Sequence, residues 1–298
     1  MKPRYDHRRR QAGTLSRSAN RRQPGRLGAL ALLAACALTP LPAVAAAKPA
    51  APVAPAITVP PRSAEADEKT YERCMGLARH DPEAAKDLAE RWQKRGGAHP
   101  ADHCFAVALI GLKQYKQGAT RLETLADAMV HAPNALRAEV LDQAAQAWLL
   151  AGDPPRAYAA ETAALKFLPS NPDLLLDRAE AAGEAGWFDK AIPDLDIVLK
   201  ADPRRVEALI YRATAYRALD RLGPALADAE AAVRLAPNSA AALLERGNIL
   251  RLKGDMAGAR RDWQRVSALA PGSAADLAAK ANLAHLDAKP GSLPAARH

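Results

Sequence analysis

Five residues between positions 74 and 104 carry the side chains best suited to bonding or ligation: Cys74, His80, His99, His103 and Cys104. Two thiols can close a disulfide in an oxidising compartment, and imidazoles grouped with thiolates can hold a zinc-type ion. His99 and His103 share a helical face only if the helix already includes His99, and Pro100 bears on that. A second pattern is electrostatic. Arg178, Arg212 and Arg246 recur every 34 residues, each followed sixteen residues later by an aspartate, Asp194, Asp228 and Asp262. One period earlier both slots are alanine, Ala144 and Ala160. Joint loss is what a bidentate arginine–carboxylate pair predicts, since either charge left partly buried alone is strongly destabilising. Read functionally, the same arginines would be an anion-binding ladder; the structural ion pair is the reading adopted. No G-x-S-x-G elbow, phosphate-cradling glycine loop or H-E-x-x-H occurs, and the acids fall in repeat slots. The chain therefore reads as non-enzymatic, with no cofactor and no metal, and a Cys74–Cys104 disulfide is the first reading of the thiols.

The elements that hold these residues follow from composition. The chain has 298 residues, 49% hydrophobic but only 4% aromatic, so its apolar material is mostly Ala and Leu, which favour closely packed helices. The net charge of +9 is concentrated at the start: residues 1–45 hold nine basic residues and one acid, leaving 33 basic against 32 acidic beyond them. A nucleic-acid partner thus loses its electrostatic basis. Behind the basic start, Leu27 to Ala47 is charge-free and ends in small residues, as in a signal peptide over 1–47 cut near Ala45 or Ala47. Leu33-Ala34-Ala35-Cys36 offers an alternative, a lipobox with Cys36 acylated; an uncleaved anchor is the third reading. Each places the remainder outside the cytoplasm, periplasmic or secreted, with membrane attachment only through that N-terminus. Residues 48–64, rich in Pro and Ala, read as a disordered spacer and 288–298 as a disordered tail.

The decisive pattern is the 34-residue period. Pro169, Pro203, Pro237 and Pro271 fall in register, as do Leu141, Leu175, Leu209 and Leu243, and Ala157, Ala191, Ala225 and Ala259. A small-residue row runs Ala145, Ala179, Ala213, Gly247, and the turn slots hold Gly152, Gly186, Asp220 and Gly254. These rows resemble the tetratricopeptide repeat (TPR) family, in which small residues lie where helices A and B of each unit cross and proline closes the unit. The resemblance implies an all-α, right-handed α-solenoid with an N-terminal helical hairpin (65–97), a degenerate repeat (98–137), repeats at 138–171, 172–205, 206–239 and 240–272, and a capping helix (273–287). Helix B of the degenerate unit should run one turn long before Pro133, Pro193 should delay or bend its helix, and Leu277, Ala281 and Ala284 should fill the buried slots of the cap. Trp92, Trp148, Trp187 and Trp263 are expected in the packing.

The resemblance also implies a concave groove, lined by the outward slots of the A helices, that binds a peptide or protein partner. Those slots are Glu139, Asp142, Gln143 and Gln146; Asp173, Asp177, Glu180 and Glu184; Glu207, Ile210, Tyr211, Thr214 and Arg217; and Leu244, Glu245, Asn248 and Arg251. The first two sets are acidic and the last two mixed, which suits a partner with a basic end. The carboxylate clamp of chaperone-binding members needs Lys, Arg and Asn here, and only Asn248 fits. A structural assembly factor working through its convex face or its hairpin is the alternative function.

Overall fold

The computed structural model describes residues 64–287; the leader, Cys36, most of the spacer and the tail lie outside the described residues. Those residues form thirteen helices and no strand: α1 (Ala64–His80), α2 (Pro82–Gln93), α3 (Ala98–Gly111), α4 (Tyr115–Ala128), α5 (Asn134–Leu150), α6 (Pro154–Phe167), α7 (Pro172–Glu184), α8 (Phe188–Ala201), α9 (Val206–Ala218), α10 (Leu222–Leu235), α11 (Ala240–Leu252), α12 (Met256–Leu269) and α13 (Ala274–Asp287). From α7 onward the odd helices begin at 172, 206, 240 and 274, one period apart. Every helix packs on the next, and from α5 each odd helix also touches the following odd one, so the A helices form a continuous layer.

Local chemistry fixes the ends. Asp81, Asp153 and Asn171 accept backbone N–H bonds at the starts of α2, α6 and α7, each followed by proline at the first helical position. The A-to-B turn needs one left-handed residue. Gly152, Gly186 and Gly254 supply it at φ of 72°, 76° and 89°, and Asp220 does so at 57°. The alanine and leucine rows are buried throughout. Gly247 is forced by its neighbour: a Cβ there would lie 2.6 Å from Trp263 Nε1 on α12. Gly118 has the same cause, its absent Cβ falling 2.6 Å from Ile110 Cγ1 and 3.0 Å from the Ala106 carbonyl oxygen. Trp92, Trp148 and Trp263 are buried, and Trp187 is half-buried with its ring edge-on to Tyr158.

Three expectations need correction. Helix α4 is not a turn long: the extra residues fall in the connection after Ala128 and in the first turn of α5, which starts at Asn134 directly behind Pro133. There Arg137 reaches back, its Nε donating to the Ala126 carbonyl at 3.0 Å and its guanidinium lying 4.3 Å from the Phe167 ring. Helix α8 starts on time at Phe188 and carries Pro193 as an exposed interior residue. In α13, Leu277 is 63% exposed and Ala281 and Ala284 are exposed as well. In the inner repeats those slots lie against the repeat's own helix B, and among the described residues α13 has none; the slots Asp276 and Ala279 are the buried ones.

Candidate functional site

The three arginine–aspartate pairs close in the same geometry. Arg178 donates Nε and Nη2 to Asp194 at 2.7 and 2.7 Å, Arg212 to Asp228 at 2.8 and 2.9 Å, and Arg246 to Asp262 at 2.7 and 2.7 Å. Each joins helices A and B of one repeat. Two of them reach further: Arg178 Nη1 approaches Thr162 Oγ1 at 3.5 Å and Arg212 Nη1 donates to Asp196 at 2.6 Å, both on helix B of the preceding repeat. Thr162 and Asp196 are themselves 34 residues apart, a polar row on the B helices.

At the N-terminal end, Cys74 and Cys104 stand on α1 and α3 with Cα atoms 6.1 Å apart and their sulfurs in disulfide geometry. His103 is buried with both ring nitrogens engaged. Gln143 Oε1, an acceptor 2.7 Å from Nε2, requires the proton there, so Nδ1 accepts from the Tyr71 hydroxyl at 2.8 Å. Burial holds the His103 pKa below the usual imidazole value, against the hydrogen bond to Gln143 and the charge of Glu139. Gln143 is therefore committed to α3 and does not face a groove, and His99 is exposed, apart from this network.

The predicted groove slots divide into three groups. Ile210 is only 5% exposed and belongs to the core. Glu245, also 5% exposed, accepts two hydrogen bonds from Arg217 at 2.5 and 3.2 Å, which ties α9 to α11. Asn248 accepts from Asn282 on α13 at 2.8 Å, and Asp173 from Arg205 at 2.8 Å. Glu139, Glu207 and Arg251 are exposed, and Leu244 is half-buried. The second group converges. Glu180, Glu184, Tyr211, Thr214 and Arg217 line one hollow of about 230 Å³ between α7, α8 and α9, with Phe188 and Ala191 among its apolar walls. Thr214 Oγ1 is buried there without a hydrogen-bond partner, a group that a ligand's polar atom would satisfy.

The third group is acidic. Asp142 on α5 and Asp177 on α7, with Glu161 on α6, place one carboxylate oxygen each within 4.8 Å of one another. Gln146 Nε2 donates to both Asp142 oxygens at 3.1 Å. Glu161 was not anticipated. Its register partners are Leu195, Ala229 and Trp263, and those of Asp142 are Leu176, Ile210 and Leu244. Two rows that are apolar in the other repeats thus carry acids in this one, and that break in register is the signal that would have found the cluster.

The tetratricopeptide repeat profile matches residues 176–240 and 224–275, the stretch that holds the three arginine pairs and the left-handed turns at Gly186, Asp220 and Gly254. Over that stretch the chain is built of tetratricopeptide repeats. Among solved structures, the TPR chain is similar to MamA from Desulfovibrio magneticus RS-1, at 20% identity over 65% of this chain and 99% of that one, with a TM-score of 0.47. YrrB, described as a TPR protein with an unusual peptide-binding site, shares 16% identity over 64% of this chain and 96% of its own, TM-score 0.48. The first TPR of Spaghetti, bound to an HSP90 peptide, shares 26% identity over 40% of this TPR chain and 95% of its own, TM-score 0.39. No curated protein sequence matches the chain.

Proposed function

We propose that this TPR protein is an exported, non-catalytic scaffold of the cell envelope that holds a peptide or protein partner along its A-helix layer, centred on the hollow between α7, α8 and α9. The observation that carries the reading is the hollow itself: apolar walls, two glutamates, Tyr211 and Arg217 at its polar positions, and a buried hydroxyl in need of a partner. Such a mix of apolar surface with a few fixed polar groups suits a side chain inserted from an extended segment. Glu180 and Glu184 favour a segment with basic character. Export is supported by the signal-like leader and by Cys74 and Cys104 standing at disulfide distance, an arrangement that persists in oxidising compartments. Oxidised, that link would stabilise the N-terminal helices by about 3 kcal/mol.

Crosslinked co-purification from native envelope tests the reading, comparing the unaltered chain with Glu180→Arg combined with Thr214→Arg. Asn248 is left alone because it already serves α13. A partner lost from the double variant, with helical circular dichroism unchanged, supports the hollow as the working surface. A partner retained at full yield moves binding to the convex face or the N-terminal hairpin.

A further inference from the structure

We propose that the open side of α13 is a docking surface for one helix of a partner protein, a helix with alanine or glycine at its crossing point and an aspartate or glutamate three residues later. The surface lies on none of the helices that line the hollow. Its slots come from the register. Leu277, Lys280, Ala281 and Ala284 stand 34 residues after Leu243, Arg246, Gly247 and Leu250, so α13 repeats the set with which α11 receives its helix B. Among the described residues no helix B follows α13, and Leu277, Ala281 and Ala284 are exposed where Leu243 and Gly247 are buried. A leucine beside two alanines on an exposed helix face is ordinary by itself. The charge at the centre of the face is what specifies the occupant. Lys280 takes the slot of Arg178, Arg212 and Arg246, each of which holds an aspartate on its own helix B.

The three inner repeats show what such a face accepts. Their B helices carry Ala191-x-x-Asp194, Ala225-x-x-Asp228 and Ala259-x-x-Asp262, all six residues buried. The alanine lets the two helices cross closely, and the aspartate, on the same helical face, meets the cation. Lys280 has the capacity for that contact. Its Nζ donates to Asp276 at 2.8 Å, and its side chain is 61% exposed, against 21–26% for the three arginines. An ammonium carries three donors, and Arg212 already serves two carboxylates at once, Asp228 and Asp196. The other side of α13 fixes the helix to the array: Asp276 and Ala279 are buried, Asn282 donates to Asn248 at 2.8 Å, and Asp287 pairs with Arg260 on α12. The chain's own continuation lacks the complementary pattern, with Leu293 and Ala296 in the places of Ala259 and Asp262. In a second copy the three alanine–aspartate sets are already buried in their own repeats. A helix of a different protein is therefore the occupant.

Fluorescence anisotropy tests the surface, using the full chain and a dye-labelled peptide of residues 220–236. That peptide is the α10 helix, which covers the equivalent face of α9, where Ala213 stands in the slot of Ala281. It carries Arg234→Lys joined by a lactam to Glu230, so that the helix forms in isolation, as circular dichroism of the peptide verifies. It should bind one to one with a Kd of about 100 μM or tighter. Asp228→Asn in the peptide should weaken binding about fivefold, Lys280→Gln in the chain by as much, and the two together by no more than either alone. Lys280→Arg should retain full affinity. Ala281→Leu adds bulk at an exposed position and should weaken binding at least about tenfold, with the circular dichroism of the chain unchanged. Absence of saturable binding up to about 1 mM peptide would overturn the proposal. So would binding that Ala281→Leu leaves intact. A dimer of the chain alone in sedimentation, dissociated by Ala281→Leu, would overturn it too, since a second copy would then cover the face.

Discussion

Above about pH 4.5, its ordinary value, Glu161 ionises in the unfolded chain, while in the folded chain burial and two neighbouring acids keep it protonated. The folded state then binds more protons than the unfolded one, so this residue lowers stability as pH rises. Glu161→Gln removes the titration and keeps the shape. The variant should be more stable than the parent by about 1–3 kcal/mol at pH 8 and by less at pH 5. Urea midpoints at the two pH values check this, and an offset that does not grow with pH would count against the buried acid. The residue was legible only through its register. Glu161 lies on a helix B, outside the A-helix slots, and a glutamate in the row of Leu195, Ala229 and Trp263 is a local conflict with its apolar neighbours in register.

At the scale of helices, the paired charges behave as fasteners between A and B. Arg212 keeps Asp196 as a second acceptor, so removing Asp228 leaves it partly satisfied. Arg246 and Asp262 are the better pair to test. Asp262→Ala should cost about 2–4 kcal/mol, and adding Arg246→Ala should recover at least about 1 kcal/mol, because the arginine no longer has to be buried without its partner. Equal losses in single and double variants, by thermal melting, would refute a paired role. Most of this layer was readable: the start points of α7, α9 and α11, the turn residues and the A–B pairing all follow from rows at one spacing. Failures came where the repeat meets an edge. The outward slots of one repeat do not allow for its neighbours: Ile210 is buried, and Glu245 is held by Arg217 of the preceding A helix. Carrying the buried slots of the inner repeats over to a capping helix without a helix B puts Leu277 inside, whereas it is exposed. Neither error is visible in one repeat's pattern, since both depend on what lies beside it.

For the whole described stretch, stability in a stacked array is set by nearest-neighbour coupling, and that coupling is uneven here. From α7 to α12 each repeat has its A–B pair, and the arginines of two repeats also touch the repeat before. The α5–α6 repeat has Ala144 and Ala160 instead, both buried and neither able to form a charge-assisted bond. Cooperativity should therefore have a fracture line at that repeat. Native-state hydrogen exchange in rising urea should show α5 and α6 opening in a sub-global step while α7–α12 remain protected, and uniform protection across the array would exclude the idea. A partner that spans α5 to α7 would then act as a clamp on the hinge of the array, turning a local occupancy into a change in how far the whole assembly can bend.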